Sequence, residues 1–533
     1  MAFTLDGHPA EVAREDVSLL EALREDLGVR SVKDGCSPQG QCGCCTVLVD
    51  GAPRVSCVTP LRRVAGRSVT TAAGLIDPVG NALVDAFAAH GASQCGFCTP
   101  GILCRLAVLP EQPSAAQVEN ALLAHLCRCT GWRSILDAAR MSRRPCDAPD
   151  GHAPGSTRAT LEGGTEQRIG PGSVLGQGDF ADDTAPPGCL VAVPRADADL
   201  DALLGPDGWS VGATLSDARA GAGKVQGRRS GQPLSWPVAV PPGEWDITLQ
   251  TTWVEPGYLE PDASWCEPGG PPASPVANGG AFGAKTESPA PVAARMLADH
   301  LGRSVRVLLS REDVVRFGPK RPPAGAGIRL DGDGHLTLGR TRANSVQKAV
   351  ICTSFCTQSV ETIWVDVAGP PTSRSIRAAG WAEAAVLVAA AEARAAGTTT
   401  ATVRTDEGAV AEAAVEVDPT GWPSRVRVEV DAGEPLDEVV LRSYVQGAAH
   451  MALGWVCSEG IAVDEEGRPT DLTIRSFGIL RAKDTPPIDV TVRTAEGRPA
   501  VRVSDAAFAA VAAATWLAQG LPSRWPTMRG TRR

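Results

Sequence analysis

Cys36-Ser37-Pro38-Gln39-Gly40-Gln41-Cys42-Gly43-Cys44-Cys45, read together with Cys57 after eleven intervening residues, is the stretch that decides the fold. With Cys44 set aside its thiols are spaced C-x5-C-x2-C, and Cys57 lies within an apolar run. A second knot pairs Cys95 and Cys98 as C-x2-C, then Cys127 and Cys129 as C-x-C after twenty-eight residues. Nine of the sixteen cysteines fall in these two knots, all in the first quarter of the chain, so the N-terminal part is built to hold metal.

A plant-type iron–sulfur loop has C-x4-C-x2-C and a distant fourth cysteine, and the first knot is that pattern with one extra loop residue. Gly35, Gly40 and Gly43 suit a chain that folds over a cluster and turns backbone N–H groups towards its sulfurs. Each half of the second knot stands where a helix begins: Cys98-Thr99-Pro100-Gly101 before residues 102–109, and Cys129-Thr130-Gly131 before residues 132–140. A helix N-terminus favours thiolate over thiol and stabilises an anionic cluster. Zinc prefers paired C-x2-C knuckles, which Cys127 and Cys129 fit poorly, and disulfides belong to secreted chains with cysteines spread throughout. Two 2Fe–2S clusters are therefore expected. His125, an isolated histidine beside Cys127, reads as a core or surface residue.

At 533 residues and a formal charge of −10, with no Lys/Arg cluster, the chain makes nucleic acid a poor partner. No apolar run reaches the length of a membrane span, and residues 1–5 carry neither a basic region nor a twin arginine, so a cytoplasmic location is expected. Residues 3–7 read as a strand and tight turn, Ser18-Leu19-Leu20-Glu21 as a capped helix start ending at Gly28, and Thr46–Val49, the turn Asp50-Gly51 and residues 54–58 as a hairpin. From about Leu75 the period becomes helical, and Ser114 opens a further helix. The spacing divides the chain into residues 1–73, 74–145, a Pro/Gly/Ser/Thr-rich linker at 146–167, and a long C-terminal region at 168–533.

Asp34 to Gly51, Gln94 to Gly101 and Leu126 to Gly131 resemble the iron–sulfur part of the molybdenum hydroxylases, the family of xanthine dehydrogenase and aldehyde oxidoreductase. The resemblance implies an α+β protein: a β-grasp ferredoxin domain, a four-helix iron–sulfur domain and a mixed α+β molybdopterin-binding region. It assigns Cys36, Cys42, Cys45 and Cys57 to one cluster and Cys95, Cys98, Cys127 and Cys129 to the other, leaving Cys44 as a neutral packed thiol. Further on, Leu175 to Asp183 with Pro187-Gly188, then Glu260-Pro261 and Asn278-Gly279-Gly280-Ala281-Phe282-Gly283-Ala284-Lys285, are similar to the family's molybdopterin-binding subunit. Ile376-Arg377-Ala378-Ala379-Gly380 resembles a family loop whose arginine faces the substrate, with two glycine-favoured positions altered. Gln94, Gly279, Gly280, Phe282, Gly283 and Arg377 are the cofactor-binding residues this implies.

Two departures stand out. The C-terminal region is shorter than the family's, and the Gly-rich stretch that ends in its catalytic glutamate is not recognisable around Gly497 to Ser504, so no base is assigned and Glu496 lies out of pattern. The resemblance implies oxidation of a small aldehyde or N-heterocycle, with electrons leaving singly through the cluster pair to a flavin on a separate subunit or to another acceptor, and with a homo-oligomer possible. The competing expectations are an electron-transfer protein whose C-terminal half serves docking, and a zinc-stapled scaffold.

Overall fold

The computed structural model describes the whole chain except residues 76–77, 142–152, 226, 228–230, 276–279, 342–350, 356–357, 494–496 and 530–533. Among the described residues four mixed sheets carry the strands, and helices lie beside or between them, an α+β architecture. The first sheet is the ferredoxin part: β1 (Ala2–Leu5), β2 (His8–Glu11), β3 (Thr46–Val49), β4 (Ala52–Val55) and β5 (Ser68–Thr70) in the order β2-β1-β5-β3-β4. Asp6-Gly7 and Asp50-Gly51 make the two hairpin turns with both residues at positive φ, which explains the Asp-Gly pairs. Ser18 Oγ accepts from Glu21 N–H to start the helical segment that crosses this sheet. Cys57 sits in a tight helical turn, Ser56–Val58, rather than in a continued strand.

The helices Pro78–Ala89, Thr99–Leu106, Ala115–Ala121 and Arg133–Met141 form the second unit. Ser114 and Gln117 cap the third reciprocally. Residues 153–163, expected within a linker, form the helix Ala153–Gly163 instead. The composition misled because the deciding groups are two charges: Arg158 and Glu162 are fully buried and pair one turn apart at 3.1 Å. Glu162 also accepts from the N–H groups of Val503 and Ser504, while Arg158 donates to carbonyls of Glu434, Pro435 and Val501. Burial of both charges is tolerated because nearly every donor and acceptor is met.

The C-terminal region holds the other three sheets. Strands β6 (Leu190–Pro194), β7 (Trp209–Gly212), β9 (Ala263–Cys266) and β10 (Val305–Leu308) order as β7-β6-β10-β9. Strands β8 (Ile247–Gln250), β11 (Ala324–Ile328), β12 (Gly334–Arg340), β13 (Ile351–Phe355) and β14 (Gln358–Asp366) order as β13-β14-β12-β11-β8. Strands β15 (Ala401–Arg404), β16 (Val410–Val417), β17 (Pro423–Asp431) and β18 (Ile488–Arg493) pair in sequence order. The largest apolar core joins the last two sheets to the helices Trp381–Ala395, Glu438–Cys457 and Ser504–Ala518. Alanine dominates the first and third, which lets helices approach closely at little entropic cost.

The parts are tied by charge as well as by apolar packing. Arg24, 4 % exposed, reaches from the ferredoxin part to Asp182 at 2.5 Å and Asp183 at 2.8 Å, and Lys33 also pairs with Asp183. From the other side Arg306 on β10 binds Glu25 at 2.6 Å and Asp182 at 3.1 Å. Burial pushes the Asp182 carboxyl up, but Arg24 and Arg306 outweigh it and hold the group down to about 2. Among the described residues no helix is long and apolar enough to cross a membrane.

Candidate functional site

The eight expected ligands gather into two quartets of buried thiols. In the first, Cys36 touches both Cys42 and Cys57, and Cys57 also touches Cys45. Gln39 N–H and Gln41 N–H both donate to Cys36 Sγ, at 3.2 and 3.4 Å, so the loop directs backbone donors at sulfur as its glycines suggested. In the second, Cys127 touches Cys98 and Cys129, and Cys129 Sγ lies 3.5 Å from Cys95 Sγ. Thr130 Oγ1 stands 3.2 Å from Cys127 Sγ, and Phe97 N–H donates to Cys95 Sγ at 3.5 Å.

Hydrogen bonds from Cys42 and Cys57 hold the Cys36 thiol well below its ordinary value, and the same contacts raise Cys42 and Cys57. Cys127 is lowered in the same way by Cys129 and Cys98, which are raised. Each quartet therefore centres on one sulfur that carries negative charge most easily, and binding of iron displaces the remaining thiol protons. Among the described residues no three of His, Cys, Asp and Glu converge as ligands of one ion. The thiols form rows of neighbours with inward N–H groups, which suits a two-iron cluster, where each metal takes two cysteines. His125 is buried beside the quartets, its Nε2 3.3 Å from Thr46 Oγ1, and burial lowers it to about 3, so it is a neutral core residue.

The C-terminal region touches the second quartet directly. A Cβ on Gly447, in the helix Glu438–Cys457, would lie 1.7 Å from the Cys129 carbonyl oxygen, so glycine is required for this approach. Gln94 Nε2 donates to that carbonyl and to Ser443 Oγ, both at 3.0 Å. Arg128, between two ligands, makes a two-pronged pair with Glu459, the second contact at 2.7 Å, both side chains being 2 % exposed.

Gly280, Phe282, Gly283 and Arg377 come together beside the same quartet, while Asn278 and Gly279 lie outside the described residues. A Cβ on Gly280 would meet Arg128 Cβ at 2.9 Å and Cys129 Sγ at 3.4 Å. Gly283, at φ +97°, lies so close to Ser375 that a Cβ would be 1.9 Å from its carbonyl oxygen. The Arg377 guanidinium lies 3.4 Å from the centre of the Phe282 ring, and Arg377 N–H donates to the Phe282 carbonyl at 3.0 Å. Arg377 and Ala378 take φ of +46° and +48°, a left-handed turn that glycine adopts freely and these residues adopt at a cost. Burial lowers Arg377 to about 10, against the pull of Asp505, so it stays cationic at neutral pH.

Asp505 is the residue that sequence reasoning missed. It sits in the first turn of the helix Ser504–Ala518, where Arg502 Nη2 reaches it at 3.0 Å and Arg377 Nη1 at 3.4 Å. Its signal was an acidic residue opening an Ala-rich helix beyond Gly497, a position favoured by the helix dipole. Glu496 lies outside the described residues. Buried polar atoms lack partners both at this carboxylate, Arg377 Nε and Arg502 Nε, and near the second quartet, Gln94 Oε1 and Tyr444 Oη. Such a mixed set of unmet donors and acceptors, in a fold that satisfies most others, fits a polar, many-atom ligand. A cleft of about 330 Å³ opens beside Gln94 and Cys95, walled by Gln167, Arg168, Ser173 and Asp179.

Residues 3–66 match the model of the 2Fe-2S iron-sulfur cluster binding domain, residues 71–140 that of a second 2Fe-2S binding domain, and residues 352–486 that of the molybdopterin cofactor-binding domain. The nicotinate dehydrogenase small FeS subunit of Eubacterium barkeri is 37 % identical over 147 residues, 27 % of this chain and 93 % of its own length. The nicotine 6-hydroxylase small subunit of Paenarthrobacter nicotinovorans is 43 % identical over 129 residues, 24 % of this chain and 76 % of its own. The solved aldehyde oxidoreductase from Desulfovibrio gigas superposes with a TM-score of 0.73 at 15 % identity, covering 98 % of each chain, a likeness of fold.

Proposed function

Because the chain belongs to the molybdenum hydroxylase family, with two 2Fe–2S domains and a molybdopterin-binding domain, we propose that this oxidoreductase oxidises a small aldehyde or electron-poor N-heterocycle. The two cysteine quartets would hold the 2Fe–2S clusters, which would supply single-electron transfer towards a flavin-bearing partner subunit. The observation that carries this reading is the Arg377–Asp505 pair at 3.4 Å, stacked on Phe282 and next to the glycine loop that touches Cys129.

Gly280, Phe282, Gly283, Gln94 and Arg377 are the residues that would hold the molybdopterin cofactor, which when bound supplies the two-electron oxidation. Gln94 offers its unmet Oε1 to a donor on the ligand while its amide nitrogen stays anchored on Cys129. Arg377 presents a cation with Nε unmet. Asp505 is the carboxylate placed to take a proton at Oδ1 or Oδ2, held in position by two guanidinium groups. The names of the relatives divide between N-heterocycles, as in nicotinate dehydrogenase and nicotine 6-hydroxylase, and aldehydes, as in aldehyde oxidoreductase, which supports keeping both substrate classes in the proposal.

Metal analysis with electron paramagnetic resonance of the dithionite-reduced protein tests the reading. About four iron atoms and about one molybdenum per chain, with two distinct cluster signals, are expected. Iron without molybdenum in protein from a cofactor-competent host assigns the chain to electron transfer alone, and zinc without iron overturns both.

A further inference from the structure

Cys44 is the ninth thiol of the two knots and belongs to neither quartet. Its side chain is 1 % exposed and lies in the apolar core that joins Cys36 and Cys42 to all four cysteines of the second quartet, whereas Cys45 and Cys57 belong to the separate core of the ferredoxin sheet. A Cβ on Gly35 would meet Cys44 Sγ at 3.0 Å and Cys42 Sγ at 3.1 Å, so the two sulfurs converge on one spot. Cys44 S–H points at the Cys42 carbonyl oxygen, 4.0 Å away, with its sulfur beside the Cys42 sulfur, so a small turn about the Cys44 side chain re-aims the donor from oxygen to sulfur. Cys44 is also within electrostatic reach of Cys95 and Cys98. The Gly43 and Cys44 carbonyls are capped by Gly101, where a Cβ would lie 2.3 and 2.8 Å from them.

Resting on the reading of the quartets as cluster sites, we propose that Cys44 is a positioning residue between the two centres, whose S–H donates to the Cys42 sulfur and raises the potential of the first cluster. Once Cys42 gives its sulfur to iron it is only an acceptor, which leaves Cys44 as the donor of the pair. A donor at a ligand sulfur stabilises the reduced, more negative cluster. The first centre is thereby favoured as the resting place of an electron that leaves the second. No ligand exchange is involved: one electron is lost by the second cluster and gained by the first.

The test uses the full-length, iron-loaded protein and its Cys44→Ala, Cys44→Val and Cys44→Ser variants, with both potentials followed by electron paramagnetic resonance during titration with dithionite. All variants are expected to keep both cluster signals. Removing the donor, as Ala or as volume-filling Val, is expected to shift electron sharing about tenfold towards the second cluster, a 59 mV fall for a one-electron couple. Ser keeps a donor and is expected to recover at least half of that shift. Unchanged potentials in Ala and Val, beside two clusters in the parent protein, overturn the inference alone, and so does loss of the first cluster in all three variants, which makes Cys44 a ligand. A parent protein without two clusters overturns the underlying reading as well.

Discussion

Leu126 N–H donates to the carbonyl of Cys42 at 3.0 Å, so a ligand of the first quartet is one hydrogen bond and one residue away from Cys127, a ligand of the second. Gly43, next to Cys42, makes the approach possible: at φ +76°, a Cβ there would lie 2.5 Å from the His125 ring and 2.9 Å from the Ala124 carbonyl oxygen. Gly43→Ala must part the two strands of chain. Its cost is expected to be at least about 2 kcal/mol, combining positive-φ strain and overpacking, read as a lowered thermal midpoint. Magnetic coupling between the reduced clusters is expected to weaken with it, and an unchanged melt sinks the idea that this junction is tight.

Asp505→Asn tests the base. The amide keeps the shape and accepts no proton, so turnover is expected to fall about 10²- to 10⁴-fold while iron content and cluster spectra stay as they were. Wild-type turnover in this variant removes Asp505 from the chemistry.

Gly283→Ala drives a methyl group towards the Ser375 carbonyl at 1.9 Å. Displacement of the loop is expected to abolish molybdenum retention and to leave the cluster signals intact, since the thiols are held by other segments. Normal molybdenum content in the variant dissociates this loop from cofactor binding.

Arg128 and Glu459 are both 2 % exposed, so removing one strands the other. Arg128→Met or Glu459→Gln alone is expected to cost about 3–5 kcal/mol in denaturant unfolding, and the double variant much less than the sum. Additive costs show that the pair is not coupled.

Burial pushes the Glu260 carboxyl up to about 7, against the pull of Lys285 Nζ at 2.5 Å. The folded state therefore binds the proton more tightly than the unfolded chain, whose glutamate titrates near about 4.3. The resulting stabilisation, on the order of 3 kcal/mol, is fully present below the unfolded value and is lost as pH rises to about 7. Glu260→Gln is expected to remove that decline. Parallel stability profiles for variant and parent between pH 5 and 8 count against it.

The thiol sites were legible because their information is local: each quartet is made from close-spaced cysteines, and spacing is what one sequence displays. Phe282 and Arg377 were readable for a different reason, since a glycine loop and an arginine followed by small residues mark backbone turns whatever surrounds them. Asp505 was not legible because its meaning lies in Arg377, 128 positions away, and only the packing of two alanine-rich helices brings them together. The helix Ala153–Gly163 was hidden for a similar reason, its stability coming from buried Arg158 and Glu162 and their distant carbonyl and amide partners.

The lattice of charges around Asp182 has a consequence for how the halves are inherited. Arg24, Lys33 and Glu25 stand on one side of the seam, Asp182, Asp183 and Arg306 on the other, so neither side is a self-sufficient surface. A ferredoxin part expressed as its own polypeptide would meet water with cations that had been spared hydration, and its former neighbour with acids left facing a cavity. Covalent fusion spares this seam the entropy of association, so a joint this polar can persist where a free-standing small subunit would need a greasier one.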